Sequence, residues 1–271
     1  MSLKRRVWVE IDFNKLQRNY LKIASSVSPA GVLCVMKANA YGLGVQAYAD
    51  ALARTDAIGF GVAEPFEALQ LKEANLDKPV HILSSILPDE IEEMVKAGVI
   101  LPVTDFEQAK NIDAIAEKLG KKTIVHFKID TGMGRLGILA RDAVETITKV
   151  KALPNLICEG IFSHCAMAYD PVNPFTQNQI TEFKNILSEL RAKNIFFKEI
   201  HIAASDAINN FPEAKRPPFN VVRTGINLHG SFDPNGRREL SLESVLTLKT
   251  RVAQVRTLPA GTTLGYGRTW C

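Results

Sequence analysis

The strongest constraint on this chain is a repeated alternation. Short runs rich in β-branched and apolar residues alternate with helix-length amphipathic stretches over most of its length. Eight such runs stand out, at 32–37, 57–63, 80–83, 100–104, 123–129, 157–162, 199–203 and 220–223. Helical patterns lie between them at 65–74, 88–97, 106–119, 140–153 and 175–193. In the last of these, Ile180, Phe183, Ile186, Leu187 and Leu190 keep the three-four spacing of one buried face. Eight strands, each followed by a helix-length segment, predict an α/β protein, specifically a parallel (β/α)8 TIM barrel. An open doubly wound sheet is the alternative topology. A chain of 271 residues can bury a sizeable core in either form.

From Leu242 the pattern changes. Val245, Thr247, Lys249 and Arg251 alternate as in a half-buried antiparallel strand, and Leu258-Pro259-Ala260-Gly261 reads as a turn. A second strand is expected over 263–270. Two strands are too few for an independent β-domain. Residues 12–240 are therefore read as the barrel, and 1–11 with 241–271 as a partial C-terminal β-domain. The chain is expected to be truncated within that domain, with Met1-Ser2-Leu3 as an expression leader.

Composition excludes several classes. Thirty-three Lys+Arg against twenty-nine Asp+Glu leave a net charge of +4. That balance, with only the short clusters Lys4-Arg5-Arg6 and Gly236-Arg237-Arg238, argues against a nucleic-acid or membrane-surface protein. No run approaches the roughly 18 apolar residues of a membrane helix. Cys34, Cys158, Cys165 and Cys271 form no Cys-x-x-Cys pair, and no metal-site motif is recognised. The expected setting is the cytoplasm.

In a barrel, reactive residues gather at the C-terminal ends of the strands. Those ends carry Lys37, Lys128, Asp130, Arg135, Ser163, His164, Ser205, Asp206 and Arg223. The charged members are mainly basic, which suits an anionic ligand, and backbone N–H groups at Gly225 and Ile226 add phosphate donors. Lys37 closes an apolar strand, so partial desolvation is expected to favour its neutral amine, a nucleophile toward an aldehyde cofactor. Taken singly, each residue also has a structural reading. Lys37 can be a snorkelling lysine, His164 a satisfied buried histidine and Ser205 a helix N-cap. Arg135 and Arg223 can be ion-pair residues, and Tyr266 a strand aromatic. Gly42-Leu-Gly44-Val-Gln-Ala47 and Gly132-Met-Gly134-Arg-Leu-Gly137 both fit a dinucleotide fingerprint, which keeps a nicotinamide dehydrogenase open as an outsider.

The segment from Val35 through Met36-Lys37-Ala38-Asn39-Ala40-Tyr41 to Gly44 resembles the cofactor-lysine motif of the alanine racemase family. His126 to Gly137 resembles that family's second signature. Ser163-His164, Ser205, Arg223-Thr224-Gly225-Ile226 and Gly265-Tyr266-Gly267 follow in the family's order. The resemblance implies a homodimeric enzyme that uses pyridoxal 5′-phosphate (PLP) to convert L-alanine to D-alanine for cell-wall peptidoglycan. By resemblance, Lys37 holds PLP as a Schiff base, while Tyr41, Ser205 and the backbone at Gly225 and Ile226 hold its phosphate. Arg223 faces the pyridine nitrogen, to which a permanently charged guanidinium cannot give up a proton. Arg135 meets the cofactor's phenolic oxygen and the substrate carboxylate. Lys37 and Tyr266, the latter from the partner subunit, are the two acid/base groups, and His164 couples Tyr266 to Arg223. The family relieves repulsion between Lys128 and Arg135 by carbamylating the lysine; an ion pair of Lys128 with Asp130 is the alternative. Ala204 and His229 depart from the family pattern, which leaves a serine-type or broader racemase open. A decarboxylase on the same kind of barrel is disfavoured by Arg223. A non-catalytic PLP-binding barrel is the remaining alternative, and racemisation by this chain is expected to be impaired by its truncation.

Overall fold

The structure is a computed structural model that describes residues 5–271. The leader assignment, Met1-Ser2-Leu3, lies outside the described residues. The chain divides into two compact units: Asp12–Val245, and the segment ending at Ile11 together with Leu246–Cys271.

In the smaller unit, strand β1 (Val7–Ile11) precedes the larger unit in sequence. The larger unit then opens with α1 (Phe13–Val27), β2 (Gly31–Val35), a single turn α2 (Lys37–Tyr41) and α3 (Val45–Ala53). It continues with β3 (Gly59–Val62), α4 (Pro65–Glu73), β4 (Val80–Ile82), α5 (Ile91–Ala97), β5 (Leu101–Val103), α6 (Phe106–Lys118) and β6 (Thr123–Asp130). Its second half runs β7 (Ile138–Leu139), α7 (Ala143–Val150), β8 (Leu156–Phe162), α8 (Pro174–Ala192), β9 (Glu199–His201), α9 (Ser205–Asn210) and β10 (Val221–Thr224).

The main strands pair in parallel as β10-β2-β3-β4 and as β5-β6-β8-β9. Hydrogen bonds cross both seams between these sheets. At one, the Ile82 and Ile100 amides bond to Ile100 and Val80 carbonyls at 3.0 and 2.9 Å. At the other, the Asn220 amide reaches the Ile200 carbonyl at 3.1 Å and the Arg223 amide reaches that of Ala203 at 3.0 Å. The eight strands thus follow one another round a ring, and each of the eight expected runs overlaps one of them. The two-residue β7 is an addition that pairs with the end of β6.

Local chemistry explains the surrounding helices. Asp12 caps α1 by accepting from the Lys15 amide, and Leu16, Tyr20, Ile23 and Val27 form its buried stripe. Asp105 caps α6, while Asn173 followed by Pro174 starts α8. On α8 four residues of the expected face, Ile180, Phe183, Ile186 and Leu190, are buried, while the fifth, Leu187, is half-buried. Burying Phe183 alone contributes roughly 1.5–3 kcal/mol.

In the smaller unit, β1 pairs antiparallel with β11 (Leu246–Thr250), Val7 standing opposite Thr250 and Ile11 opposite Leu246. The strand expected over 263–270 is not formed. Instead, Leu264 and Trp270 make an isolated antiparallel bridge around a tight turn at Tyr266–Arg268. Gly265, Gly267 and Arg268 have φ of 65°, 70° and 52°, outside the range of an extended strand.

Candidate active site

The chain leaves β2 through a conformation that L-residues seldom adopt. Ala38, Asn39, Ala40 and Tyr41 all have φ between 52° and 56°, making one turn of left-handed helix without a glycine. Left-handed helix costs about 1–2 kcal/mol per residue. The cost is met by specific bonds: Glu67 on α4 accepts from the Asn39 amide at 3.3 Å, and the Asn39 side-chain oxygen accepts from the Val45 amide at 2.9 Å. The turn sets Lys37 and Tyr41 on one cavity. Lys37 itself is exposed, so the expected desolvation of its amine is not observed; the left-handed turn leaves it open to the cavity instead.

The exit of β6 is built around Asp130. Its carboxylate accepts from the Gly132 amide at 2.9 Å and from the Gly134 amide at 2.9 Å through its other oxygen, curling the loop that carries Arg135. A Cβ at Gly137, where φ is +123°, would sit 2.9 Å from the Lys128 carbonyl, so the motif's third glycine serves close chain packing. With Asp130 committed to backbone, the ion pair with Lys128 that stood as the alternative to carbamylation does not form. Lys128 Nζ donates to the Leu83 carbonyl at 2.7 Å and lies 4.7 Å from the Phe162 ring centroid. Burial, with Arg223 and Arg135 nearby, pulls the Lys128 ammonium down to about 7.

Arg223 closes β10 and is almost wholly buried. It donates to His201 Nδ1 at 2.7 Å, to the Ser163 and Ile202 carbonyls at 2.8 and 3.1 Å, and to His164 Nδ1 at 3.1 Å. Burial lowers Arg223 only to about 10, so it remains a cation at neutral pH. Burial and the Arg223 charge push His164 down to about 2, and His201 is held well below its ordinary range mainly by burial. Both imidazoles are therefore neutral, with Nδ1 accepting and the proton on Nε2. His201 was not singled out from sequence. Its one signal is a polar side chain inside the apolar run Glu199–Ala203, where it now stacks on Phe162 with a ring separation of 5.0 Å.

A third group surrounds Gly225. Ser205 Oγ accepts from the Gly225 and Asn227 amides at 3.3 and 3.4 Å. A Cβ at Gly225 would lie 2.1 Å from the Tyr41 hydroxyl, so glycine is what lets that hydroxyl rest against the backbone. Burial pushes the Tyr41 phenol up to about 12, keeping it a neutral donor. His229 packs edge-on to Tyr41 at 5.0 Å and bonds the Tyr48 hydroxyl through Nδ1 at 3.0 Å.

These groups meet in one cavity of 490 Å³. Lys37, Tyr41, Arg135, His164, Ser205, Arg223, Gly225 and Ile226 all line it, as expected from sequence, and so do Lys128 and Ala204. Its lining carries the basic side chains Lys37, Lys128, Arg135 and Arg223 against one carboxyl, Asp206, among the described residues. Tyr266 belongs to the smaller unit, where its side chain is fully exposed.

The family described as "Alanine racemase, N-terminal domain" matches residues 11–233. The chain belongs to the alanine racemase family. It is 38% identical over 268 residues to an alanine racemase of Carboxydothermus hydrogenoformans, a match covering 98% of this chain and 72% of that one. Among solved structures, alanine racemase from Bartonella henselae with covalently bound pyridoxal phosphate superposes with a TM-score of 0.84 at 27% identity. That match covers 98% of this chain and 72% of the other. A histidine racemase from Leuconostoc mesenteroides superposes with a TM-score of 0.86 at 26% identity, covering 99% and 72% of the two chains. As an alanine racemase family member the chain is an isomerase with the TIM-barrel architecture, and both the doubly wound sheet and the dehydrogenase built on the glycine motifs are overturned. Among the described residues no helix is long and apolar enough to cross a membrane.

Proposed function

We propose that this chain racemises alanine with PLP bound in the 490 Å³ cavity, Lys37 carrying the cofactor covalently. The supporting observation is the chemistry of that cavity. Four basic side chains and a cradle of Tyr41 hydroxyl, Ser205 hydroxyl and the Gly225 amide fit a phosphorylated aldehyde, with the Lys37 amine at one wall to bind it. When bound, PLP withdraws electrons from the substrate's α-carbon and so acidifies its C–H bond.

The remaining chemistry belongs to the protein. Tyr41, Ser205 and the backbone at Gly225 and Ile226 hold phosphate, and Arg135 binds carboxylate. Arg223, locked by its four bonds, sets an unchanging positive charge toward the pyridine nitrogen and donates no proton to it. Lys37 Nζ moves a proton on one face of the α-carbon, and Tyr266 Oη of the partner subunit moves it on the other. A free phenol has a pKa of about 10, so Tyr266 needs a donor to its oxygen. His164 supplies it: with Nδ1 occupied by Arg223, Nε2–H is free to donate. Addition of the neutral Lys128 amine to carbon dioxide, with release of one proton, would turn a buried amine near Arg223 and Arg135 into a carbamate anion that pairs with Arg135. The product supplies cell-wall peptidoglycan.

The test is D-alanine formation from L-alanine by the PLP-loaded chain, with Lys37→Ala and Tyr266→Phe as controls. Expected is racemisation that falls by at least about a thousandfold in either variant, since each removes a reacting acid/base group. A yellow chromophore without racemisation in the unmutated chain points to a non-catalytic PLP-binding barrel. Because Ala204 lines the cavity in place of a polar residue, serine and histidine are assayed alongside; a clear preference for either replaces alanine as the substrate.

A further inference from the structure

The barrel holds a second cluster of chemistry-bearing side chains that the proposed racemisation does not use. His81 on β4, His126 on β6 and Glu199 on β9 bring one potential ligand atom each to within 4.8 Å of one another. His81 and His126 are 2% and 3% exposed. His81 Nδ1, His126 Nε2 and Glu199 Oε2 are all buried without a hydrogen-bond partner. Each of the three clustered side chains thus leaves a buried polar atom unsatisfied, which costs the fold unless something satisfies it. The surrounding backbone is shaped to the same end. A register shift in the β6–β8 pairing falls between Val125 and His126. Opposite it, Gly160 makes room for the imidazole, since a Cβ there would lie 2.5 Å from the His126 ring.

The geometry points to a site for a divalent cation of the zinc class, bound by His81, His126 and Glu199. Two neutral imidazoles and one carboxylate form a three-ligand set that leaves a fourth position for water. Donors about 2.1 Å from a tetrahedral ion stand roughly 3.4 Å apart. The three ligand atoms lie within 4.8 Å of one another, so binding would require side-chain rotation to reach that spacing. Glu199 also lines an 820 Å³ cavity, together with Gly31, Ile100 and Ile124 from the N-terminal ends of the strands, which gives the ion and its water a route from solvent. The nearby cation Lys198 is neutralised by Glu159 at 2.8 Å. His126 stands 5.8 Å from His201, which touches Arg223, so the ion sits behind the residue facing the cofactor ring rather than in the cofactor cavity.

The test uses the full chain loaded with PLP, stripped with a chelator, equilibrated with Zn²⁺ and passed through gel filtration before elemental analysis. One zinc per chain is expected, with a rise in thermal midpoint. Glu199→Gln should weaken retention by about tenfold or more, and His81→Leu should abolish both retention and the thermal shift. Co²⁺ in place of Zn²⁺ should give a visible ligand-field band that His81→Leu lacks. If His81→Leu does not fold, Glu199→Gln carries the comparison. Failure of the unmutated chain to retain zinc, meaning that water or a shared proton satisfies the three atoms, overturns the proposal. Equal retention by the variants, meaning binding elsewhere, overturns it as well. Neither result depends on racemisation.

Discussion

Lys128 shows how a single residue's surroundings decide its chemistry. It is buried beside Arg223 and Arg135, and the carboxylate two positions on, Asp130, spends both oxygens on the Gly132 and Gly134 amides. An ammonium there has a carbonyl and a ring face for partners but no counter-ion among the described residues. Its lowered pKa sets the sign of a prediction. Carbamate formation needs the neutral amine, whose fraction rises with pH through about 7. In ¹³C-labelled bicarbonate, a carbamate resonance should therefore grow between roughly pH 6 and 8 and be missing from Lys128→Ala. A resonance that is absent at all pH values leaves Lys128 an ordinary buried amine.

At the level of elements, the strand ends were legible because the barrel's logic puts polar residues where apolar runs stop. Lys37, Arg135, His164, Ser205 and Arg223 were all located that way, and one cavity collects them. The left-handed turn was not legible. Ala38 and Ala40 favour right-handed helix, and what holds them otherwise is Glu67, a residue nearly thirty positions away. Helix α3 is absent from the helical patterns read from sequence, although its first turn overlaps the glycine motif Gly42–Ala47. The strand expected over 263–270 failed because alternation of side chains carries no information about φ, which the two glycines set. The turn is open to test. Asn39→Ala removes the acceptor for the Val45 amide and should destabilise the fold by about 1 kcal/mol by urea denaturation. It should weaken PLP binding disproportionately, because Lys37 and Tyr41 both depend on the turn.

Over the whole molecule, the ring of eight strands buries polar groups as well as apolar ones. His81, His126 and His201 pack in sequence with ring separations of 5.0 and 5.8 Å, a line of imidazoles that composition and spacing did not announce. All five histidines sit below their ordinary range, with burial the leading cause in each: His81 at about 3, His229 at about 4, His164 at about 2, and His126 and His201 well below. The unfolded chain takes up protons on these residues near pH 6.5 while the folded chain refuses them. Stability that is fully present above about pH 6.5 is thus lost as pH falls toward the folded values, by up to about 1.4 kcal/mol per pH unit for each histidine. Glu199, whose carboxyl is raised by burial, opposes this for one proton. For metal-free protein, urea midpoints should drop steeply between pH 7.5 and 5.5; a flat profile would show the imidazoles to be already charged or solvated.

Racemisation in this cavity requires one covalent attachment. Borohydride reduction of the PLP-loaded chain, followed by peptide mapping, should place a phosphopyridoxyl group on the peptide containing Lys37 and on no other. A label on a different lysine, or a chain that takes up no cofactor at all, would contradict it.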